Sequence, residues 1–177
     1  MRNPSDGLTS IYISGPMTGY PKANYPAFFA AEQRWRERGW VVVNPARINP
    51  QNSTNSAMTH EEARSAGIWV DLKGVHETDA LAVMADWHKS IGARAEVYTA
   101  YCLGHPVFHD ETGEPMAPEG DVVDGIWAEL EAVHAARSLV VPCDWEQSIA
   151  MRAKVYTARA LGLPILDRET GETIIIE

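Results

Sequence analysis

Residues 67–114 read GIWVDLKGVHETDALAVMADWHKSIGARAEVYTAYCLGHPVFHDETGE. Residues 125–172 repeat the pattern 58 positions later as GIWAELEAVHAARSLVVPCDWEQSIAMRAKVYTARALGLPILDRETGE, with 25 identical residues in 48 aligned positions. Identities spread over the whole length indicate a tandem duplication. Two copies are too few for a solenoid, and we therefore expect the second copy to extend the sheet of the first.

Each copy has the pattern of a helix, a strand, a second helix and a second strand. The Leu-Gly before Pro106 and before Pro164 is typical of a helix end, since glycine accepts positive φ there and proline bars continuation. Strands that alternate with helices of this length favour parallel pairing. In chain order, the predicted elements are 61–77, 80–84, 90–103 and 106–108 in the first copy, and 124–137, 138–141, 148–161 and 164–166 in the second.

The residues before the repeat add one more β-α-β unit, with strands at 10–14 and 40–43 around a helix at 24–38. We therefore predict one α/β domain spanning residues 1–177, with a Rossmann-like (flavodoxin-like) parallel sheet flanked by helices. Residues 44–59 are rich in Asn, Pro, Ser and Gln without periodicity. This composition predicts a mobile loop, which we expect near the mouth of a ligand site.

The composition narrows the classes of function. The chain has 177 residues, a formal net charge of −9, 45% apolar residues and only two cysteines, Cys102 and Cys143. Few cysteines fit a reducing compartment, and excess negative charge disfavours a nucleic acid as partner. Without a secretory signal or a membrane-spanning apolar run, we expect a cytoplasmic protein with no membrane partner. The six histidines show no metal-ligand spacing, and we predict no metal and no cofactor.

A first candidate site follows the first predicted strand. Ligands of open parallel sheets bind beyond the carboxyl ends of the strands, and here the chain continues as Ser14-Gly15-Pro16-Met17-Thr18. Glycine lets backbone N–H groups approach a ligand closely. A plain strand-to-helix turn explains the same residues.

A second candidate lies at the start of the helix at 90–103. Ser90 is a suitable N-cap and Gly92 leaves the first turn bare, which favours anion binding. Glu96 follows six residues after Ser90, roughly 9 Å along the helix axis, so one helix could hold a phosphate at its tip and a carboxylate near the sugar. The alternative is that Ser90 only caps the helix and Glu96 is an exposed helix residue.

The two copies differ at these candidate positions. Glu96 is matched by Lys154, Gly92 by Ala150, and Asp71 by Glu129. Apolar and aromatic positions are kept, so the first copy is predicted to be active and the second architectural. The kept pairs, which we expect in the core, are Trp69 with Trp127, Leu72 with Leu130, Ile91 with Ile149, Val97 with Val155, and Tyr98 with Tyr156.

The ordered motifs resemble a known family. The chain carries IYISGPMTG from residue 11, then NYPAF, NPA and SIGARAE ending at Glu96. Together, over residues 11–108, they resemble the nucleoside 2-deoxyribosyltransferase superfamily, and most closely its frequently phage-borne branch of unassigned function. On this view residues 11–116 are the deoxyribosyltransferase-like part, and 117–177 are a degenerate repeat of 67–116.

The resemblance implies a Rossmann-like fold and cleavage or transfer at the N-glycosidic bond of a nucleoside or nucleoside 5′-monophosphate. It implies that Glu96 is the nucleophile, that Asp71 assists the departing base, and that Tyr12 is the partner of the nucleophile. Ser90 with Gly92 would hold the 5′-phosphate or 5′-hydroxyl, and the segment Gly15, Pro16, Met17 and Thr18 would line sugar and base. A carboxylate that stabilises or traps an oxocarbenium-like state fits this chemistry.

Three further expectations follow. Trp87 lies near the predicted pocket and could stack on a base. The resemblance implies that each pocket is usually completed by a neighbouring subunit. Residues 117–177 are predicted to stand where that partner would dock, although a homo-oligomer is also compatible with the sequence. The alternative function is a non-catalytic module that binds, sequesters or senses a nucleotide; a purely structural role would predict no nucleotide binding at all.

Overall fold

The computed structural model describes residue 7 and residues 9–48, 60–117 and 123–176. The N-terminal unit agrees with the sequence prediction to within one residue at each boundary. Its elements are β1 (Ser10–Ser14), α1 (Tyr25–Glu37) and β2 (Val41–Val43), followed by a short helix α2 (Pro45–Ile48). The predicted loop at 44–59 is therefore wrong at its start, where α2 forms, and residues 49–59 lie outside the described residues.

The first repeat copy supplies the rest of the main sheet. Its elements are α3 (His60–Glu77), β3 (Ala80–Val83), α4 (Ile91–Cys102) and β4 (Val107–His109), followed by a two-residue strand β5 (Pro115–Met116). The strand order is β2-β1-β3-β4-β5, with β1 to β4 parallel and β5 antiparallel to β4. The predicted Rossmann-like parallel sheet flanked by helices is confirmed.

The order of the strands places the ligand crevice. From β1 the chain moves to β2 on one side, and it then returns to β3 on the other side. Such a reversal separates the loops that leave adjacent strands, and it opens a crevice at their carboxyl ends. We therefore expect the site after β1 and β3, where Ser14 and Val83 are paired in register.

The second copy does not extend this sheet, so that prediction is wrong. Its elements are α5 (Ile126–Ala135), β6 (Leu139–Val141), α6 (Ile149–Ala160) and β7 (Ile165–Asp167), and its two strands form a separate parallel sheet. The reason lies at the edge of the main sheet, where β5 already pairs with β4. β6 and β7 instead cover a core of their own, with Val141, Trp145, Val155 and Ile165 buried in it.

The two copies pack against each other through equivalent residues. Trp69 stacks on its counterpart Trp127, with ring centroids 5.2 Å apart. His134 stacks on Trp69 at 4.2 Å, and its counterpart His76 stacks on Trp127 at 4.1 Å. When residue i contacts j and the equivalent of j contacts the equivalent of i, the two bodies are related by a two-fold axis.

A second set of contacts obeys the same symmetry. Tyr98 stacks on its counterpart Tyr156, with ring centroids 5.5 Å apart. The Arg94 guanidinium lies 5.1 Å from the Tyr156 ring centroid, and that of Arg152 lies 5.3 Å from the Tyr98 ring centroid. The chain is therefore an internal pseudo-dimer whose interface is built from the residues that the duplication kept.

Gly74 is a point where the copies had to diverge. A Cβ at this helical position would lie 2.6 Å from Cε2 of Tyr12, whose ring is fully buried. The second copy has Ala132 at the equivalent position, and its sheet contains no strand equivalent to β1 among the described residues. Glycine in α3 thus makes room for the Tyr12 ring.

We predict that Gly74→Ala destabilises the protein. The gain in helix propensity, roughly 1 kcal/mol, is smaller than the roughly 1–3 kcal/mol typical of overpacking a core, and the Tyr12 ring has to move. Urea unfolding followed by near-ultraviolet circular dichroism measures both effects. Ala132→Gly is the matched control and should cost only the helix propensity; equal or greater stability of Gly74→Ala would contradict the packing argument.

Candidate functional site

A cavity of about 630 Å³ opens at the crevice that the strand order predicts. Its walls come from the β1–α1 segment, from α3, from the start of α4 and from α6. The predicted residues that line it are Gly15, Pro16, Met17, Thr18, Asp71, Ser90, Gly92 and Glu96. The structure thus brings together eight of the ten candidates, from three separate segments of chain.

Glu96 lies in the second turn of α4, and only 5% of its surface is exposed. The hydroxyl of Ser14, the last residue of β1, donates a hydrogen bond to Glu96 Oε2. Burial and the charge of Asp71 raise the pKa of Glu96 well above its usual value, whereas the hydrogen bond from Ser14 lowers it. The alternative of an exposed helix residue is therefore wrong for Glu96.

Ser14 begins the first candidate segment of the sequence analysis, which assigned it no role of its own. It is fully buried. Residues two apart on a strand face the same side of the sheet, so Ser14 and Tyr12 share the side on which Glu96 lies. The signal available in the sequence was a polar residue at the end of β1, directly before Gly15.

Tyr12 and Asp71 complete the buried cluster. Tyr12 is fully buried and Asp71 is partly buried. Neither the Tyr12 hydroxyl nor Asp71 Oδ1 makes a close hydrogen bond among the described residues, but the two side chains are near enough for each to shift the pKa of the other. Burial raises the pKa of Tyr12, and so do the charges of Glu96 and Asp71. The hydroxyl of Tyr12 interacts with Asp71, whereas the hydrogen bond to Glu96 comes from Ser14. The role of Tyr12 as partner of the nucleophile stays a prediction.

We predict that Asp71 makes stability depend on pH. Burial raises its pKa from 3.8 to about 6, so the unfolded chain releases this proton at lower pH than the folded one. The contribution is then most favourable below pH 4 and is lost as pH rises through 6, by up to about 3 kcal/mol. Denaturant unfolding should show that the free energy of unfolding falls less between pH 4 and pH 7 in Asp71→Asn than in the wild type. Glu129→Gln is the control, and an unchanged slope for Asp71→Asn would contradict the prediction.

The start of α4 is capped as predicted. The backbone N–H of Ala93 donates to the Ser90 hydroxyl at 3.3 Å, and that of Met151 donates to Ser148 in the second copy at the same distance. Capping satisfies one of the orphan donors of a first helical turn. Capping is therefore a confirmed role of Ser90, and anion binding stays a prediction.

The segment after β1 has an unusual backbone. Lys22, Ala23 and Asn24 adopt positive φ values of 53°, 50° and 60°, a region that costs non-glycine residues roughly 1–2 kcal/mol each. The Asn24 side chain donates to the carbonyl of Pro16 at 2.9 Å, which ties this turn to the pocket wall. Strain of this kind clusters at functional sites, and Tyr20 and Ala23 line the cavity.

Trp87 is placed away from the cavity. Its ring packs edge-on against Tyr98, with centroids 6.3 Å apart, and it does not belong to the lining of this pocket. Stacking of Trp87 on a base stays a prediction.

The second copy replaces the two carboxyl groups by an ion pair. Lys154 Nζ lies 2.7 Å from Glu129 Oε2, and these residues are the counterparts of Glu96 and Asp71. Opposite charges stabilise each other, whereas two buried carboxylates raise each other's pKa. The unfavourable pair is thus kept only where it faces the cavity.

Neither a metal cluster nor a membrane span is found in the part of the chain that the structure describes. There, no three His, Cys, Asp or Glu side chains are grouped so that they could hold a metal ion. None of the described helices combines the length and apolar character that crossing a membrane requires.

Residues 9–109 match one family model, a domain of unknown function (DUF4406). The matched span runs from just before β1 to the end of β4, so it contains Glu96, Asp71 and the segment from Gly15 to Thr18. The second copy lies outside it. No curated protein matches the chain significantly.

Proposed function

Since the chain belongs to the DUF4406 family, whose description names no activity, we propose, from the resemblance of its motifs to the nucleoside 2-deoxyribosyltransferases and from the carboxyl groups of the site, that the protein cleaves an N-glycosidic bond. The substrate is a nucleoside or a nucleoside 5′-monophosphate, and Glu96 is the nucleophile. The observation that carries this proposal is a buried glutamate, Glu96, and a partly buried aspartate, Asp71, in one cavity that is also lined by a strand-end loop and a helix start.

The two carboxyl groups can act as a nucleophile and an acid if they share one proton. Burial raises the pKa of both carboxyl groups, so near neutral pH the pair holds one proton rather than none. A hydrogen bond from Ser14 lowers the pKa of Glu96, and the Tyr12 hydroxyl lowers the pKa of Asp71. In the reactive form that we propose, Glu96 is ionised and Asp71 carries the shared proton. Environments that separate the roles of two carboxyl groups are the general device for acid and nucleophile assignments.

The reaction follows from this arrangement. With Oε2 held by Ser14, Glu96 Oε1 attacks the anomeric carbon and forms a C–O bond as the C–N bond breaks. The electron pair of that bond leaves with the base, and Asp71 delivers its proton to the ring nitrogen. Water or a second base then attacks the glycosyl ester, which releases the sugar or transfers it.

The cavity suits a ligand of this size. Its volume of about 630 Å³ falls inside the roughly 300–1,000 Å³ that is common for small-molecule sites. The first turn of α4, with Ser90 and Gly92, lines the cavity, and in our proposal it binds the 5′-phosphate or 5′-hydroxyl. Residues Gly15 to Thr18 present backbone groups to sugar and base.

The test is a panel of ribo- and deoxynucleosides and their 5′-monophosphates, each incubated with the protein with and without a second free base. Chromatography of the free bases detects release and exchange. Release or exchange with at least one substrate supports the proposal. Ligands that raise the melting temperature yet stay intact would instead support a nucleotide-binding module without turnover.

A further inference from the structure

The cavity contains residues of both copies. Arg159 and Ala160 line it, although both belong to α6, the second-copy counterpart of the helix that carries Glu96. The pseudo-two-fold packing of Trp69 on Trp127 and of Tyr98 on Tyr156 holds α6 in this place. The second copy therefore completes a wall that the family-matched part of the chain lacks.

The wall formed by α6 adjoins the first turn of α4. Ala160 shares a buried cluster with Ile68 of α3. Ile68 Cδ1 lies 3.4 Å from the position that a Cβ on Gly92 would occupy. Gly92, Ile68 and Ala160 thus form a continuous stretch of wall, and Arg159, next to Ala160 in α6, lines the same cavity.

Arg159 does not have the core-packing role of its counterpart in the first copy. Its counterpart in the first copy is Tyr101, which is 4% exposed and packs in the main core. Arg159 is exposed, and its Nε donates to the Ile176 carbonyl at 3.2 Å. That hydrogen bond engages Nε, and no hydrogen bond from either Nη group to a described residue is found.

A positive charge in the lining of this cavity would help an anionic ligand to bind. The chain carries a net charge of −9, and the cavity already holds the carboxyl groups of Asp71 and Glu96. A phosphate group therefore needs local positive charge to enter. Lys89, the other basic residue of the lining, is 2.8 Å from Asp86 in an ion pair, so Arg159 is the lining residue whose charge is uncompensated among the described residues.

We propose that Arg159 binds the 5′-phosphate of the substrate and so selects nucleoside 5′-monophosphates over nucleosides, an inference that rests on the proposed function for the identity of the ligand. The planar guanidinium matches phosphate oxygens with two parallel hydrogen bonds. The N-terminus of α4 supplies further donors on the other side. In this way the second copy, although it has lost the carboxyl pair, determines the specificity of the first.

The experiment compares four 2′-deoxynucleosides with their 5′-monophosphates as substrates for wild type, Arg159→Gln and Arg159→Lys. For Arg159→Gln we expect KM for the monophosphate to rise roughly 10- to 100-fold, as for loss of a charged hydrogen bond, with the nucleoside unaffected. Arg159→Lys, which keeps a cation, should retain part of the preference. Arg137→Gln, an exposed arginine of the second copy outside the lining, is the matched control.

Two outcomes overturn the inference while leaving the proposed function intact: a monophosphate preference that survives Arg159→Gln, or an equal loss with both substrates, which would indicate a structural role. If no base is released from any substrate, the proposed function fails, and calorimetric binding of the same eight compounds then decides the role of Arg159. If none of the eight compounds binds, both fail. If Arg159→Gln does not fold, Arg159→Lys and its intermediate KM ratio keep the test decisive.

Discussion

Glu96→Gln is expected to abolish base release, by at least about 10³-fold in kcat, because the amide oxygen cannot form the glycosyl ester. The substitution keeps size and shape, and the new side chain can still accept the hydrogen bond from Ser14. Substrate binding should therefore persist within a few-fold. Single-turnover assays with the best substrate of the panel, together with calorimetric binding, separate the two effects.

The same variant should be more stable than the wild type. The raised pKa of Glu96 means that its ionised form is unfavourable in the folded state, so the destabilisation grows as pH rises above the ordinary range of a glutamate. Gln removes it, and the melting temperature should rise more at pH 8 than at pH 4. A gain in stability with loss of activity is the usual trade at an active site.

Lys154→Gln is the matched control, since it changes the equivalent position of α6 outside the cavity lining. It should leave base release unchanged. The role assigned to Glu96 does not survive if Glu96→Gln retains more than about a tenth of wild-type activity, or if both variants lose activity equally.

The features of the fold that depend on local sequence pattern could be predicted from the sequence. Strand and helix boundaries followed from periodicity and from turn residues such as Gly104 and Pro106. The comparison of the two copies separated packing residues from candidate chemical residues. Leu72 and Leu130 are both fully buried. Glu96 lines the cavity, whereas its counterpart Lys154 forms an ion pair. Comparison of equivalent positions in the two copies therefore gave the kind of information that an alignment of related sequences gives.

What the sequence could not predict depends on contacts between distant segments. The separate sheet of β6 and β7 arises because two residues, Pro115 and Met116, occupy the edge of the main sheet, and no periodicity marks so short a strand. The bond from Ser14 to Glu96 joins positions 82 residues apart. Arg159 reaches the cavity only through the pseudo-two-fold packing, which becomes visible when both copies are placed in space.

Asp71→Asn is expected to lower kcat about 10²–10⁴-fold with ordinary bases, the range typical of a lost general acid. The loss should be much smaller with nucleosides of bases that depart without a proton, such as those carrying strongly electron-withdrawing substituents, because such bases need no acid. A ratio of this kind identifies an acid, since a merely structural defect would slow all substrates alike.

The pH profile gives an independent reading of the same residue. With a pKa of about 6 for Asp71, the wild-type rate should fall as pH rises and the pair loses its shared proton. In Asp71→Asn this alkaline fall should disappear, because Asn has no proton to lose, while Glu129→Gln, the matched change in the second copy, should keep the wild-type profile. Assignment of Asp71 as the acid fails if Asp71→Asn slows activated and ordinary substrates by the same factor and keeps the alkaline limb, since the departing base would then take its proton from another group.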